Sequence, residues 1–168
     1  VTLLMFDLDK FKSINDRFGH AIGDSVLRVF AQVARTSMRA TDILGRLGGE
    51  EFVAMVPEPM EGAVHVAERL RAGFEAAGVI VDGLAIGATV SSGLATSYRV
   101  EPDIDSLLLR ADTALYRAKN EGRNRFICAD EEPGSEQARG KSQAAKAGGL
   151  KRRWVARRPK ADDAPATG

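Results

Sequence analysis

The chain has 168 residues, about one domain's length, and is 44% hydrophobic, 28% charged and 6% aromatic, an ordinary globular composition. Lys and Arg number 24 against 23 acidic residues, and this net charge of +1 argues against a protein that seeks polyanions over its whole surface. No apolar run reaches the roughly 18 residues of a membrane span, Val1 to Phe6 lacks the leader and cleavage site of a secretory signal, and the single Cys128 excludes an internal disulfide and a cysteine-built zinc cluster; a cytoplasmic setting is expected.

In chain order, Val1 to Asp9 reads as a buried strand with acids at its C-terminal end. Asp24 and Ser25 precede Val26, Leu27, Val29, Phe30, Val33, Ala34 and Met38, which is helical spacing behind an N-cap. Ile43 to Leu47 and Phe52 to Val56 are short strands, and the Gly48-Gly49-Glu50-Glu51 connection between them predicts a hairpin. Ala63, Val64, Ala67, Leu70 and Phe74 mark a second helix closed by Gly78. Val79 to Ala95 is β-rich and interrupted by glycines at 83, 87 and 93, so two strands are expected. Ile104, Leu107, Leu108, Ala111, Leu115 and Ala118 form a third helix ended by Gly122, and Arg125 to Ala129 is a last strand. Helices alternating with hairpins imply an α+β fold with a mainly antiparallel central sheet and flanking helices.

The composition shifts near residue 129. Residues 1–128 carry 15 basic and 17 acidic residues, whereas residues 129–168 carry nine and six, with Leu150, Trp154 and Val155 the only large apolar side chains there. Such a segment buries too little surface to offset its ordering entropy, so 1–129 is expected to be the folded domain and 130–168 a disordered, basic Ala/Gly/Lys/Arg-rich tail. The run from Lys151 to Lys160 offers contact with nucleic acid or anionic lipid, but a solvated tail is the simpler reading. The folded part carries no nucleic-acid motif.

Four acids stand out: Asp7 and Asp9, two apart and so on one face of a strand, and Glu50 and Glu51 in the hairpin. If the first strand lies beside the hairpin, these carboxylates converge, and such a cluster is stable when a cation sits among them. Hard oxygen donors suit Mg²⁺ or Mn²⁺ and metal-assisted phosphoryl transfer. Turn acids are as readily explained as solvated charges.

The surrounding text is more specific. Phe6-Asp7-Leu8-Asp9-Lys10-Phe11-Lys12-Ser13-Ile14-Asn15-Asp16, Gly19-His20, Gly23-Asp24, Arg46-Leu47-Gly48-Gly49-Glu50-Glu51-Phe52, Ala111-Asp112 with Ala114-Leu115-Tyr116-Arg117-Ala118-Lys119, and Gly122-Arg123-Asn124 occur in that order. Together they closely resemble the GGDEF family, the diguanylate cyclases, in the variant with Glu at the third signature position, over about residues 1–128.

The resemblance implies a palm-like nucleotide cyclase domain that condenses two GTP into cyclic di-GMP and pyrophosphate. It implies two Mg²⁺ (or Mn²⁺) ions per active site and a homodimer formed through the active-site face. Carried onto this chain, Asp7, the Leu8 carbonyl, Glu50 and Glu51 are metal ligands, with Glu51 at the catalytic centre helping to deprotonate the 3′-hydroxyl. Gly48 and Gly49 let the backbone approach the α-phosphate, although hairpin geometry alone also explains them. Asn15 and Asp24 match the pair that reads the guanine edge, with a helix cap as the alternative for Asp24. Lys119 and Arg123 match the cations on the β- and γ-phosphates; four apart, they are expected on one helix face, where a solvated basic patch is the alternative. His20 is expected to be structural, and Phe11 and Ile14 to pack in the core.

Arg39-Ala40-Thr41-Asp42 matches the family's RxxD inhibitory motif, where bound cyclic di-GMP restrains the enzyme; a salt-bridged helix end is the bland reading. Arg69 matches a second arm of that site, and His65 stands where some members carry another Arg. The resemblance also implies a segment before Val1 and an upstream sensory or dimerising domain, which leaves open both the activity of this chain alone and tethering to a membrane. The rival reading is a catalytically idle module that senses GTP or cyclic di-GMP for a signalling partner.

Overall fold

The computed structural model describes residues 1–97 and 102–129. The basic tail expected over 130–168 lies outside the described residues. The first strand, β1 (Thr2–Leu8), is buried along its whole length. An unforeseen helix, α1 (Phe11–Phe18), follows, entered through Lys10 at φ 54° and left through Gly19 at φ 86°. Only Phe11 and Ile14 are buried on it, and two apolar contacts in eight residues are too few to show periodicity. Both belong to the core, as expected.

Helix α2 (His20–Ser37) begins four residues before Asp24, with Gly19 as its N-cap. Asp24 is therefore not a cap: it is an exposed residue of the second turn, and the turn is made by the backbone freedom of Gly19 instead. Strands β2 (Ile43–Gly48) and β3 (Glu51–Val56) form the expected hairpin. Helix α3 (Met60–Ala77) ends where the Gly78 N–H donates to the Phe74 carbonyl at 2.7 Å.

Among the described residues after α3, the segment 79–96 forms three strands rather than two. A small ribbon of β4 (Ile80–Val81) and β5 (Leu84–Ala85) turns at Asp82-Gly83, both at positive φ, and β6 (Val90–Thr96) follows. Gly93 does not interrupt β6. It lies under helix α4 (Ile104–Asn120), where a Cβ would come within 2.1 Å of the Ala111 carbonyl oxygen and 2.3 Å of the Leu115 nitrogen. Asp103 caps α4 by accepting from the Ser106 N–H, and β7 (Phe126–Cys128) closes the described fold.

The main sheet runs β2-β3-β1-β6-β7, antiparallel except for the parallel β6–β7 pair. It is thus an α+β fold with a mixed, mainly antiparallel sheet. Phe30 of α2 ties the layers together, with its ring 4.5 Å from that of Phe52 on β3, 5.2 Å from Phe74 on α3 and 5.9 Å from Phe6 on β1. Gly93→Ala is expected to destabilise the chain by about 1–3 kcal/mol, because the clash is with helix backbone that cannot rotate away. Denaturant unfolding checks it; an unchanged midpoint would mean that α4 can lift off β6 without loss.

Candidate active site

Strand pairing creates the site. Asp7 at the end of β1 stands opposite Glu51 at the start of β3, and the Leu8 N–H donates to the Glu50 carbonyl at 3.2 Å. Asp7 and Glu51 are only 7% and 8% exposed, so Glu51 is a buried strand residue rather than a hairpin-tip residue. Helix α4 brings Lys119 to Asp7, with Nζ 2.7 Å from the carboxylate. Burial pushes the Asp7 carboxyl above its usual value; Lys119 pulls it back in part, while the charges of Glu50 and Asp9 add to the rise.

Asp9, expected at the end of the strand, lies one residue beyond β1 and is differently placed. Its carboxylate accepts from the Thr89 hydroxyl at 2.8 Å, the Ser91 hydroxyl at 2.7 Å and the Asn124 backbone N–H at 3.0 Å. These donors make it a structural anchor, so the four expected acids do not act as one group. Among the described residues no three acidic, His or Cys side chains form a ready-made metal cluster. The donor chemistry at Asp7 and Glu51 nevertheless fits a hard divalent cation: two buried carboxylates stand opposite each other across one ladder pair, with Lys119 ion-paired to Asp7.

The hairpin turn is held by Arg46, whose Nε and Nη2 donate to the Gly49 carbonyl at 3.0 and 2.6 Å. Gly48 and Gly49 both take positive φ, and a Cβ at Gly49 would meet nothing within 4 Å. Conformation, not crowding within the chain, therefore requires glycine there. On α1, the buried Asn15 Oδ1 has no hydrogen-bond donor among the described residues, and it points at Gly23, where a Cβ would stand 1.9 Å away. The fold thus sets Asn15 against the residue preceding Asp24.

Lys119 and Arg123 do not share a helix face. α4 ends at Asn120, Gly122 takes φ 118°, and the Arg123 N–H folds back onto the Ala118 carbonyl at 3.0 Å, leaving Arg123 beyond the helix at φ 65°. There it lines a cleft of about 450 Å³ with Lys10, Arg17, Ser13, Asn124 and Asp9. Three cations and one acid already holding three donors make this cleft attractive to anions. Lys10 and Arg17 escape sequence reasoning because the helix that presents them does.

The Arg39–Asp42 segment closes on itself. The Arg39 N–H donates to Asp42 Oδ2 at 2.8 Å and the Asp42 N–H to the Arg39 carbonyl at 3.0 Å, while the Arg39 guanidinium pairs with Glu58. Arg69 donates from Nε to the Ser37 carbonyl at 3.1 Å, which brings α3 to the end of α2 beside this turn. His65 and His20 are exposed.

A further network lies at the other edge of α3. Arg71 binds Glu68 at 2.7 Å, Glu75 at 2.8 Å and the Asn124 Oδ1 at 2.9 Å, and it holds both carboxyls below their usual value of 4.5. Because the folded chain gives these carboxyls the lower pKa, their contribution is full above 4.5 and is lost as pH falls through the folded values. Arg71→Ala is expected to lower the thermal midpoint by about 2–5 °C near neutrality, with the gap closing as pH falls below 4.5. A gap that persists undiminished in acid would assign the loss to packing alone.

The model of the diguanylate cyclase GGDEF domain matches residues 1–125. Diguanylate cyclase A of Treponema denticola is 42% identical over 127 residues, covering 74% of this chain and 34% of that protein. Diguanylate cyclase DgcM of Escherichia coli is 44% identical over 129 residues, covering 76% and 30%. The chain thus spans about a third of the length of these curated relatives. Among solved structures, the active GGEEF domain of a diguanylate cyclase from Vibrio cholerae matches with TM-score 0.71 and 32% identity over 78% of this chain and 83% of that one. The GGDEF domain of DgcB from Caulobacter crescentus, in complex with c-di-GMP, matches with TM-score 0.70 and 33% identity, covering 77% and 78%.

Proposed function

This chain belongs to the GGDEF family, and on that premise we propose that it is the catalytic domain of a diguanylate cyclase, joining two GTP into cyclic di-GMP with loss of two pyrophosphates. The observation that carries the reading is the buried Asp7–Glu51 pair at the mouth of a glycine hairpin, with Lys119 of α4 on Asp7; Lys10, Arg17 and Arg123 line an anion-attracting cleft that includes Asp9, two residues on. Asp7, Glu51, the Leu8 carbonyl and Glu50 would hold the divalent cations. When bound, Mg²⁺ or Mn²⁺ supplies Lewis acidity and neutralises charge on the leaving pyrophosphate.

The protein's own groups do the rest. Gly48 and Gly49 admit the α-phosphate to the backbone, and Lys119 and Arg123 take the β- and γ-phosphates. Asn15 offers a buried carbonyl oxygen, and Asp24 an exposed carboxylate, to the N–H groups on the guanine edge. Glu51 accepts the proton from the 3′-hydroxyl of one GTP as that oxygen bonds to the α-phosphorus of the other; the bond from that phosphorus to pyrophosphate breaks. Each half-reaction needs the 3′-oxygen of a second nucleotide, so two domains meet face to face as a homodimer. Arg39, Asp42 and Arg69 form the product-inhibition site, and a sensory or dimerising region of the parent protein controls the encounter.

The test is to incubate the chain with GTP and Mg²⁺ over a wide range of protein concentration and identify the nucleotides formed. Cyclic di-GMP made at a specific rate that rises with protein concentration is expected, and Glu51→Gln should lower that rate at least about a hundredfold while still binding GTP. Undiminished product from Glu51→Gln would overturn the assignment of the centre. Arg39→Ala should raise the cyclic di-GMP concentration for half-inhibition by about tenfold, the effect of losing one charge-assisted contact. Inhibition that is unchanged would remove Arg39 from the regulatory site.

A further inference from the structure

We infer that Asn124 is a positioning residue: clamped by Asp9, just beyond β1, and by Arg71 and Glu75 of α3, it aims Arg123 at the phosphates of the nucleotide. The inference rests on the reading of Arg123 as a phosphate ligand and says how its direction is set.

Arg123 and Asn124 are consecutive residues with side chains, and both sit at positive φ, 65° and 46°. That region is unfavourable for any residue with a Cβ, although Asn tolerates it better than most. Backbone held there by its surroundings is a recurrent feature of ligand clamps. Here the surroundings are specific. The Arg123 N–H donates to the Ala118 carbonyl at 3.0 Å, and Arg125 Nε donates to the Arg123 carbonyl at 3.2 Å. The next N–H, that of Asn124, donates to Asp9 Oδ2 at 3.0 Å. Both peptide groups flanking the Arg123 Cα are therefore tied, and its side chain leaves toward the cleft that it lines.

The Asn124 amide is used at both ends. Nδ2 donates to Glu75 Oε1 at 2.6 Å, and Oδ1 accepts from Arg71 Nη1 at 2.9 Å. Asp9 is itself fixed by Thr89 and Ser91, so the turn is pinned to β1 and β6 on one side and to α3 on the other. None of these groups needs to touch the ligand. Their effect on it passes through Arg123, whose planar guanidinium grips a phosphate well only from a defined direction.

Asn124→Gly releases the clamp without straining the turn: glycine takes φ near 46° freely and keeps the N–H that Asp9 accepts, so what is lost is the amide's two bonds and the backbone restraint that a Cβ imposes. Binding of GTP and of GMP to the full chain with Mg²⁺ is measured by calorimetry; the two ligands share base, ribose and α-phosphate. GTP affinity is expected to fall about tenfold and GMP affinity to stay within about twofold. Arg71→Ala should show the same selective loss, and the double variant should be no weaker than either single by more than about twofold, since both act through one clamp. Unchanged GTP affinity, or an equal loss for GTP and GMP, overturns the inference, the latter because general loosening does not single out the outer phosphates. A parent chain that binds GTP no more tightly than GMP would defeat the phosphate reading itself, a result distinct from a parent that discriminates and a variant that matches it.

Discussion

Placing β1 between β3 and β6 buries both of its faces and forces a carboxylate into the sheet at Asp7, directly across from the carboxylate of Glu51. Holding the Asp7 carboxylate in a medium of low polarity is costly: burial pushes its pKa up, and the nearby charges of Glu50 and Asp9 add to the rise. Lys119 compensates Asp7 and thereby ties α4 to the sheet, while Gly93 lets the same helix settle against β6. The strand order thus decides where charge collects, which helix must answer it and what kind of ligand would complete it. Asp9, two residues on, shows how local that logic is: with Thr89, Ser91 and the Asn124 N–H donating to it, the same side chain becomes a fastening.

Helix α3 is bonded to two separate parts of the described fold. Residues two apart on a helix point in widely different directions, so Arg69 and Arg71 serve opposite flanks. Arg69 donates to Ser37 at the end of α2, beside the Arg39–Asp42 turn, and Arg71 reaches Asn124 in the turn that carries Arg123. One element therefore bonds both the helix end that leads into the segment resembling an inhibitory site and the segment that resembles a phosphate site. The 122–124 turn cannot shift far without straining its bonds to α3, and the end of α2 that leads into the Arg39–Asp42 turn is held to α3 in the same way.

Much of this was legible from the residues alone. The acids at the end of the first strand, the glycine hairpin, three amphipathic helices and the α+β class follow from patterning, because period and turn chemistry are local properties. What escaped depends on contacts distant in sequence. Asp9 and Asn124 are 115 positions apart, and Arg71 and Asn124 are 53 apart, so nothing near Asp9 distinguishes a fastening from a metal ligand. The α1 helix was missed because Phe11 and Ile14 alone carry its buried face, and with it went the true start of α2 and the role of Lys10 and Arg17 in the cleft. Gly93 looked like a break because a glycine that ends a strand and one that admits a helix are identical in sequence. Lys119 and Arg123 look like neighbours on one face from their spacing of four, but that spacing holds only within a helix, and α4 stops at Asn120 before Gly122 at φ 118° turns the chain.

The turn at 122–124 raises the question of why Arg and Asn, rather than more glycine, occupy strained backbone. A glycine pair would adopt those angles without strain but would also populate many others, and the direction of the chain would then be set weakly. Residues with side chains lose those alternatives, provided that surrounding bonds outweigh the local penalty. Here the outweighing bonds come from a strand, a helix and the turn's own Arg125, and the turn carries one cation to the edge of an anion-attracting cleft. Rigidity of this kind does little for a surface loop whose only task is to connect α4 to β7. It matters where a side chain must meet a charge at a fixed place, and in this chain it occurs at the residue matched to the phosphates.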